Sequence, residues 1–258
     1  MFISKNKKII NKMGFISDQK GIIDRYFREQ QGWNEHIKNT KNFILKSAEI
    51  KNKEKVAILG SGWLLDIPIE NISKNFKEVY LYDINHPKQI EHKINKYSNV
   101  KLITCDITGG VTKQVFNLIK QFKKGKQKVN INDIVYNDFI FSEKMDFVIS
   151  VNIMNQLDNL IIEYLERFNI FKSVELLQIR KKIQEVHIKS LPLNKSCLIT
   201  DHEELVLNDK NELEKKNNLI FVDLPKGNFR KKWTWKFDSC KTYIKNKKTY
   251  FNVIGIDF

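Results

Sequence analysis

The stretch that most constrains the fold runs from Lys55 to His86, KVAILGSGWLLDIPIENISKNFKEVYLYDINH. Val56-Ala57-Ile58-Leu59 is an apolar run too short for a helix, as expected of a strand buried on both faces. Gly60-Ser61-Gly62 follows at once and allows a sharp turn with close backbone approach to a ligand. Trp63 to Lys74 reads as a helix or broken helix whose N-terminus points at the same spot, where free amides suit a polar or anionic group. Val79-Tyr80-Leu81-Tyr82 is a second strand ended by Asp83. A carboxylate about 20 residues past such glycines can accept hydrogen bonds from both hydroxyls of a ribose. The expectation is a nucleoside pocket.

A chain of 258 residues with 41% hydrophobic content and 17 Phe can bury a full core. No apolar run approaches the roughly 20 residues a bilayer span needs, so no membrane association is expected. The basic start, MFISKNKKIINKMGF, lacks the apolar core of a signal peptide. Cys105, Cys197 and Cys240 lie far apart, which fits a reducing cytoplasm and neither a disulfide framework nor a zinc site. The five histidines are scattered, and no metal site is expected. The net charge of +15 attracts phosphate polyanions, but the excess is lysine spread over the whole chain. Nucleic acid therefore stays one open partner class. The cluster Lys123, Lys124, Lys126 and Lys128 around Gly125 reads as a solvated loop tip.

Met1 to Lys20 shows no clear period. Gly21 to Ile50 reads as two amphipathic helices, giving an N-terminal helical extension over residues 1–50. Arg25, Arg28, Trp33 and His36 sit near its apolar stripe, either packing on the sheet or covering the ligand site. Residues 51–258 read as the sheet domain. Asn99 to Cys105 is the third strand, ended by Asp106; Met145 to Val151 is the fourth, followed by Asn152, Asn155 and Gln156. Residues 130–144 read as a short hairpin or an irregular insertion, and Leu160 to Ser190 as mostly helix. Lys195 to Thr200 is the fifth strand, ended by Asp201 and His202. Residues 208–218 read as an exposed polar connection. Lys232 to Phe237 and Thr249 to Ile256 pair antiparallel, because the short span between them carries no crossover helix. Trp233 and Trp235 share one face of that hairpin and are expected to pack on the core.

This order of elements resembles the class I S-adenosylmethionine-dependent methyltransferases. The resemblance implies an α/β fold: a Rossmann-like, mostly parallel seven-stranded sheet with helices on both faces and a C-terminal antiparallel hairpin. Gly60-Ser61-Gly62 resembles the family's first motif, Asp83 its ribose-binding acid, Asp106 the residue beside the adenine amino group, and Ser150-Val151-Asn152 its fourth-strand motif. Ile84 and Ile107, next after the two acids, complete the implied cofactor set with Asn152. More narrowly, LGSGWLLDIP, DINHP, DITG and SVNIMNQL resemble a bacterial subgroup with no known substrate. The implied cofactor is S-adenosylmethionine, with methyl transfer to an unidentified acceptor.

Asp201 at a strand end is the first candidate for a general base, and Asn152 for orienting cofactor or substrate. Asp201 as a helix cap or turn residue, and Asn152 as a satisfier of strand-end backbone groups, stand beside those roles. His202 reads as a surface residue, His187 as a satisfied helix residue and His86 as a turn residue. Two positions depart from the family pattern. Ile58 stands where an acid is usual, and Leu64 where a third glycine is usual, so that a bulkier residue there would narrow the pocket or shift the backbone. Two other readings remain open: a methyltransferase fold that has lost catalysis and serves as a binding or scaffold protein, and a nicotinamide-dinucleotide-binding Rossmann protein. The latter's fingerprint wants a glycine where Leu65 stands.

Overall fold

The computed structural model describes residues 2–125 and 129–258. Lys126 and Lys128 of the lysine cluster lie outside the described residues. In chain order the helices are α1 (Phe2–Met13), α2 (Phe15–Arg28), α3 (Gln30–Glu49), α4 (Ile69–Asn75), α5 (Lys88–Ile94), α6 (Val111–Phe122), α7 (Gln156–Glu166) and α8 (Ser173–Ser190). The strands are β1 (Lys55–Leu59), β2 (Glu78–Asp83), β3 (Val100–Thr104), β4 (Phe147–Val151), β5 (Ser196–Leu207), β6 (Leu213–Asn218), β7 (Phe229–Asp238) and β8 (Lys248–Asp257).

The sheet follows the order β3-β2-β1-β4-β5-β8-β7, with β6 added beside β5. Strands β1 to β5 run parallel; β8 is antiparallel to both β5 and β7. The architecture is the Rossmann-like one the sequence implies. Alternation along β1 sends Ala57 and Leu59 to one face, against α1, α6, α7 and α8, and Val56 and Ile58 to the other, against α3, α4 and α5. The chain order of the strands reverses between β1 and β4, which opens a crevice at their carboxyl ends.

Four elements differ from the sequence reading or narrow it. The N-terminal residues form a helix from Phe2, and its end is anchored by fully buried Met13. Residues 130–144 are irregular, as one of their two expected forms has it, with one short turn of 3₁₀-helix at Ile131–Asp133. The region after Gly62 is not helical until Ile69, because Leu64 takes a left-handed φ of 54° and Pro68 precedes the helix start. Finally, β5 does not end at Asp201: it bulges between Asp201 and Glu203 and runs on to Leu207. Beyond the end of β4 its edge is free, and residues 213–218 pair there as β6. The sheet therefore has eight strands. Polarity hid β6, which is exposed along almost its whole length; the turn before it is set by Asn208, whose Oδ1 accepts the Lys210 and Glu212 N–H groups.

Helix α3 lies on β7. The space a side chain would need at Gly32 is filled by the Lys236 carbonyl, 2.6 Å from where a Cβ would stand. Across the sheet, the Phe43 ring occupies the corresponding space at Gly255, at 2.9 Å. The α2–α3 junction is tied to the end of β7 by buried Glu29, which accepts the backbone N–H groups of Ser239 and Cys240. The helical extension is thus packed on the sheet and roofs the crevice.

Candidate active site

A cavity of about 290 Å³ fills the crevice. Its floor is the turn after β1. Gly60 and Gly62 have φ of 80° and 44°, and the Gly60 and Ser61 N–H groups donate to the Tyr82 carbonyl. A Cβ at Gly60 would stand 2.7 Å from Ile153 Cβ, so this turn is closed to any other residue. Asp83 at the end of β2 accepts the Gly62 N–H at 2.7 Å on one oxygen and the Asn85 N–H at 3.2 Å on the other. Burial raises its pKa, and these two N–H groups pull the other way.

Asp106, just past β3, is held by the Thr108 N–H and hydroxyl, both on Oδ1. Its Oδ2 is buried without a partner among the described residues. An orphaned acceptor of that kind suits an amino group brought by a ligand. Gly60, Ser61, Gly62, Asp83, Ile84, Asp106, Ile107 and Asn152 all line the cavity, so the whole expected set is brought together. The residues fit a nucleoside: hydroxyl acceptors at Asp83, an amine acceptor at Asp106, and apolar Ile84 and Ile107 beside them.

Leu64 does not narrow the pocket. It adopts the left-handed backbone usual for glycine, and its side chain is buried in the core on the α3 face of the sheet. Neighbouring Trp63 and Leu65 line the cavity instead. Ile58 is likewise core on that face.

Helix α2 covers the cavity. Gln19 and Asn85 exchange two hydrogen bonds, and the Trp63 indole N–H donates to the Gln19 carbonyl at 2.6 Å. Arg25 also faces the cavity, with its guanidinium over the Phe237 and Tyr243 rings; burial lowers its pKa. Arg28 points away and bonds Thr242.

One end of the cavity is aromatic. Trp33 packs edge-on against Trp235 at 4.7 Å, and its N–H donates to the Phe237 carbonyl. His36 stacks on Trp235 at 3.9 Å. Trp33, His36, Trp235, Phe237 and Phe251 all face the cavity, which places the hairpin tryptophan Trp235 in the wall of the site.

Between the two ends stand Asp66 and Asn152, which share a hydrogen bond of 2.6 Å. Burial raises Asp66. The backbone of Asn152 is left-handed, with φ of 48°, and its N–H bonds the Ile199 carbonyl. Asn155 and Gln156 line the cavity as their position after β4 leads one to expect. Asp201 is not among the described residues that line it. That carboxyl lies behind Asn155 and is pushed up to about 7, chiefly by burial. Contact with a substrate would thus run through Asn155 rather than from Asp201 itself. His202 and His86 are likewise off the lining, and His187 is buried in a bond with Ser150 Oγ at 2.8 Å.

His36, Asp66 and the aromatic wall were not singled out by spacing as one cluster. They come from α3, β7, β8 and the turn before α4, and their only sequence signal is polar residues bordering apolar stripes.

No family model and no curated protein matches the chain. Solved structures similar to it include a SAM-dependent methyltransferase from Aquifex aeolicus, at 13% identity and a TM-score of 0.32, covering 65% of this chain and 72% of that one. The DhpI–SAH complex aligns over 93% of this chain and 94% of its own, at 7% identity and a TM-score of 0.39. The 23S rRNA methyltransferase ErmE aligns over 86% and 68%, at 9% identity and a TM-score of 0.34. The fold is Rossmann-like. Its strand order and the crevice at the β1–β4 reversal carry that likeness.

Proposed function

We propose that the chain binds S-adenosylmethionine and transfers its methyl group to an acceptor held against the aromatic end of the cavity. The observation that carries the reading is the pairing of Asp83 and Asp106 at adjacent strand ends, facing one cavity beside the Gly60–Gly62 turn, with Asp106 Oδ2 still unpartnered among the described residues. These residues would hold the ribose hydroxyls and the adenine amino group.

The late start of α4 separates this reading from a nicotinamide dinucleotide. A pyrophosphate needs a helix N-terminus directly after the glycines. Here Trp63 to Pro68 form turns instead, and the carboxyl of Asp66 stands in that stretch. S-adenosylmethionine carries no phosphate and makes no such demand.

When bound, the cofactor supplies an electrophilic methyl group on sulfur. The contribution of the chain is alignment and exclusion of water. Trp33, Trp235 and Phe251 are all buried, so an acceptor must enter the cavity to react. That favours a small molecule or an extruded nucleotide base over a residue on a folded protein surface, and the surplus of lysine keeps RNA among the candidates. Asn152 and Asn155 are positioned to orient the acceptor. Asp201, behind Asn155, would orient that amide rather than take a proton from the acceptor.

The test is calorimetric titration with S-adenosylmethionine, S-adenosylhomocysteine and NAD. Micromolar binding of the first two, lost in Asp83→Ala, supports the reading. Binding of none would turn the search toward a non-catalytic role for the fold. Binding of NAD alone would restore the dinucleotide reading.

A further inference from the structure

Trp233, His36, Asn152 and Asp66 form one connected chain of polar contacts at the mouth of the aromatic end. The Trp233 indole N–H donates to His36 Nδ1 at 3.1 Å. An indole nitrogen only donates, so Nδ1 must carry a lone pair. Burial holds His36 far below its ordinary value, at about 3, so the ring is neutral and its single proton sits on Nε2. Nε2 lies 3.0 Å from the terminal amide of Asn152 and 4.0 Å from Asp66. With the amide nitrogen at that place, two N–H groups would face each other. If Nε2 gave up its proton to accept, the ring would need lone pairs on both nitrogens, which a neutral imidazole does not have.

Turning the Asn152 amide by half a revolution removes the conflict, since its two ends are alike in size. The oxygen then accepts from His36 Nε2–H and stands 2.6 Å from Asp66, where burial favours the protonated, donating form of the carboxyl. The other end of the amide is buried and has no partner among the described residues. Asn152 itself is only 9% exposed and lines the cavity.

We propose that His36 and Asp66 lock the Asn152 amide with its NH₂ facing the cavity, so that the site receives a ligand oxygen as acceptor and disfavours a protonated amine. The oxygen belongs to the methyl acceptor, and its class is a hydroxyl- or carboxylate-bearing small molecule with a planar apolar body. Three observations place it. Gly60 abuts Val151 and Ile153 on either side of Asn152, so the amide stands beside the glycine turn. His36 stacks on Trp235, so the aromatic wall begins where the amide ends. Trp33, Trp235 and Phe251 offer flat apolar surface, and the cation at that wall, Arg25, already lies over the Phe237 ring. His36 and Asp66 are positioning residues here, and Asn152 is the group that touches the ligand. The substrate assignment rests on the methyl-transfer reading; the amide orientation does not.

Two measurements test it. The first is nitrogen NMR of the labelled full chain, with His36→Phe used to assign the ring. The expected result is an Nε2–H tautomer that does not titrate from pH 5 to 9; an Nδ1–H ring, or one that titrates in this range, overturns the amide orientation. This readout holds whether or not S-adenosylhomocysteine binds, so its failure is distinct from failure of the cofactor reading. The second is ligand-observed NMR with benzoate, phenol and benzylamine in the presence of S-adenosylhomocysteine. Benzoate and phenol should bind, and Asn152→Asp, which exchanges the donor for an acceptor, should weaken benzoate at least tenfold. His36→Phe keeps the stack on Trp235 but frees the amide, and should erase the preference. Benzylamine binding as well as the oxygen ligands, or no difference among the three, overturns the proposal.

Discussion

The carboxylate of Asp83 accepts the N–H of Gly62 at 2.7 Å, which joins the glycine turn after β1 to the end of β2. One side chain thus shapes the turn and offers its remaining lone pairs to a ligand. Asp83→Ala should weaken S-adenosylhomocysteine by about tenfold to a hundredfold, the range for loss of hydrogen bonds to a charged group. Asp83→Asn keeps one oxygen for Gly62 and should fall between alanine and wild type. Calorimetry on the three proteins decides; equal affinities would remove Asp83 from the site.

Leu64 combines a left-handed backbone with a buried side chain, two demands no single substitution can meet. Leu64→Ala loses burial and keeps the strain, at a cost of about 2–5 kcal/mol. Leu64→Gly loses the same contacts but relieves about 1 kcal/mol or more of backbone strain. The glycine variant should therefore be the more stable of the two, an inversion of the usual order, readable in urea unfolding. Alanine above glycine would mean that the strain is negligible.

The seat of α3 on the sheet depends on two absent side chains. A Cβ at Gly32 would meet the Lys236 carbonyl at 2.6 Å, and one at Gly255 would meet the Phe43 ring at 2.9 Å. Gly255→Ala should cost about 1–3 kcal/mol by overpacking. Because α3 carries Trp33 and His36, Gly32→Ala should also move the aromatic wall and change the near-ultraviolet circular dichroism of the tryptophans. An unchanged spectrum and unfolding midpoint would show that the packing yields.

Asp158 is buried beside Gln184 and Arg180, and burial raises it from 3.8 to about 7. In the folded chain it keeps its proton up to that pH, whereas the unfolded chain releases it near 3.8. Its stabilising contribution is complete below the unfolded value and is lost as pH rises to about 7. Buried His187, lowered to about 4, acts in the opposite sense: its contribution is present above its ordinary 6.5 and is lost as pH falls. The total profile mixes both, so the difference between Asp158→Asn and wild type is the clean measurement. The variant should gain on wild type between pH 4 and 7 in urea unfolding. A constant difference would mean that Asp158 is charged throughout.

The sequence by itself determined the Rossmann-like frame. Buried parallel strands must be short continuous apolar runs, and Val56–Leu59 and Val79–Tyr82 are legible as such without any partner. It also determined which residues meet at the crevice, because Gly60, Gly62, Asp83 and Asp106 sit at strand ends, and strand ends converge wherever parallel strands do. Local rules failed where a residue answered to distant ones. Leu64 reads as a lost glycine, yet it keeps the glycine's backbone because the core can bury its side chain. Residues 213–218 read as a polar connection, because a strand exposed on both faces carries no alternation to detect; only the free edge of β5 beyond β4 calls it into the sheet. Asp201 reads as a strand end, and the bulge that carries β5 onward turns it behind Asn155. The tertiary structure alone decided the aromatic end of the cavity. His36 and Trp233 are far apart in the chain and unremarkable in it, and they become one polar network with Asn152 only when α3 is laid on β7. Hydrogen bonds of that kind depend on where helices and strands cross, a position no periodicity records.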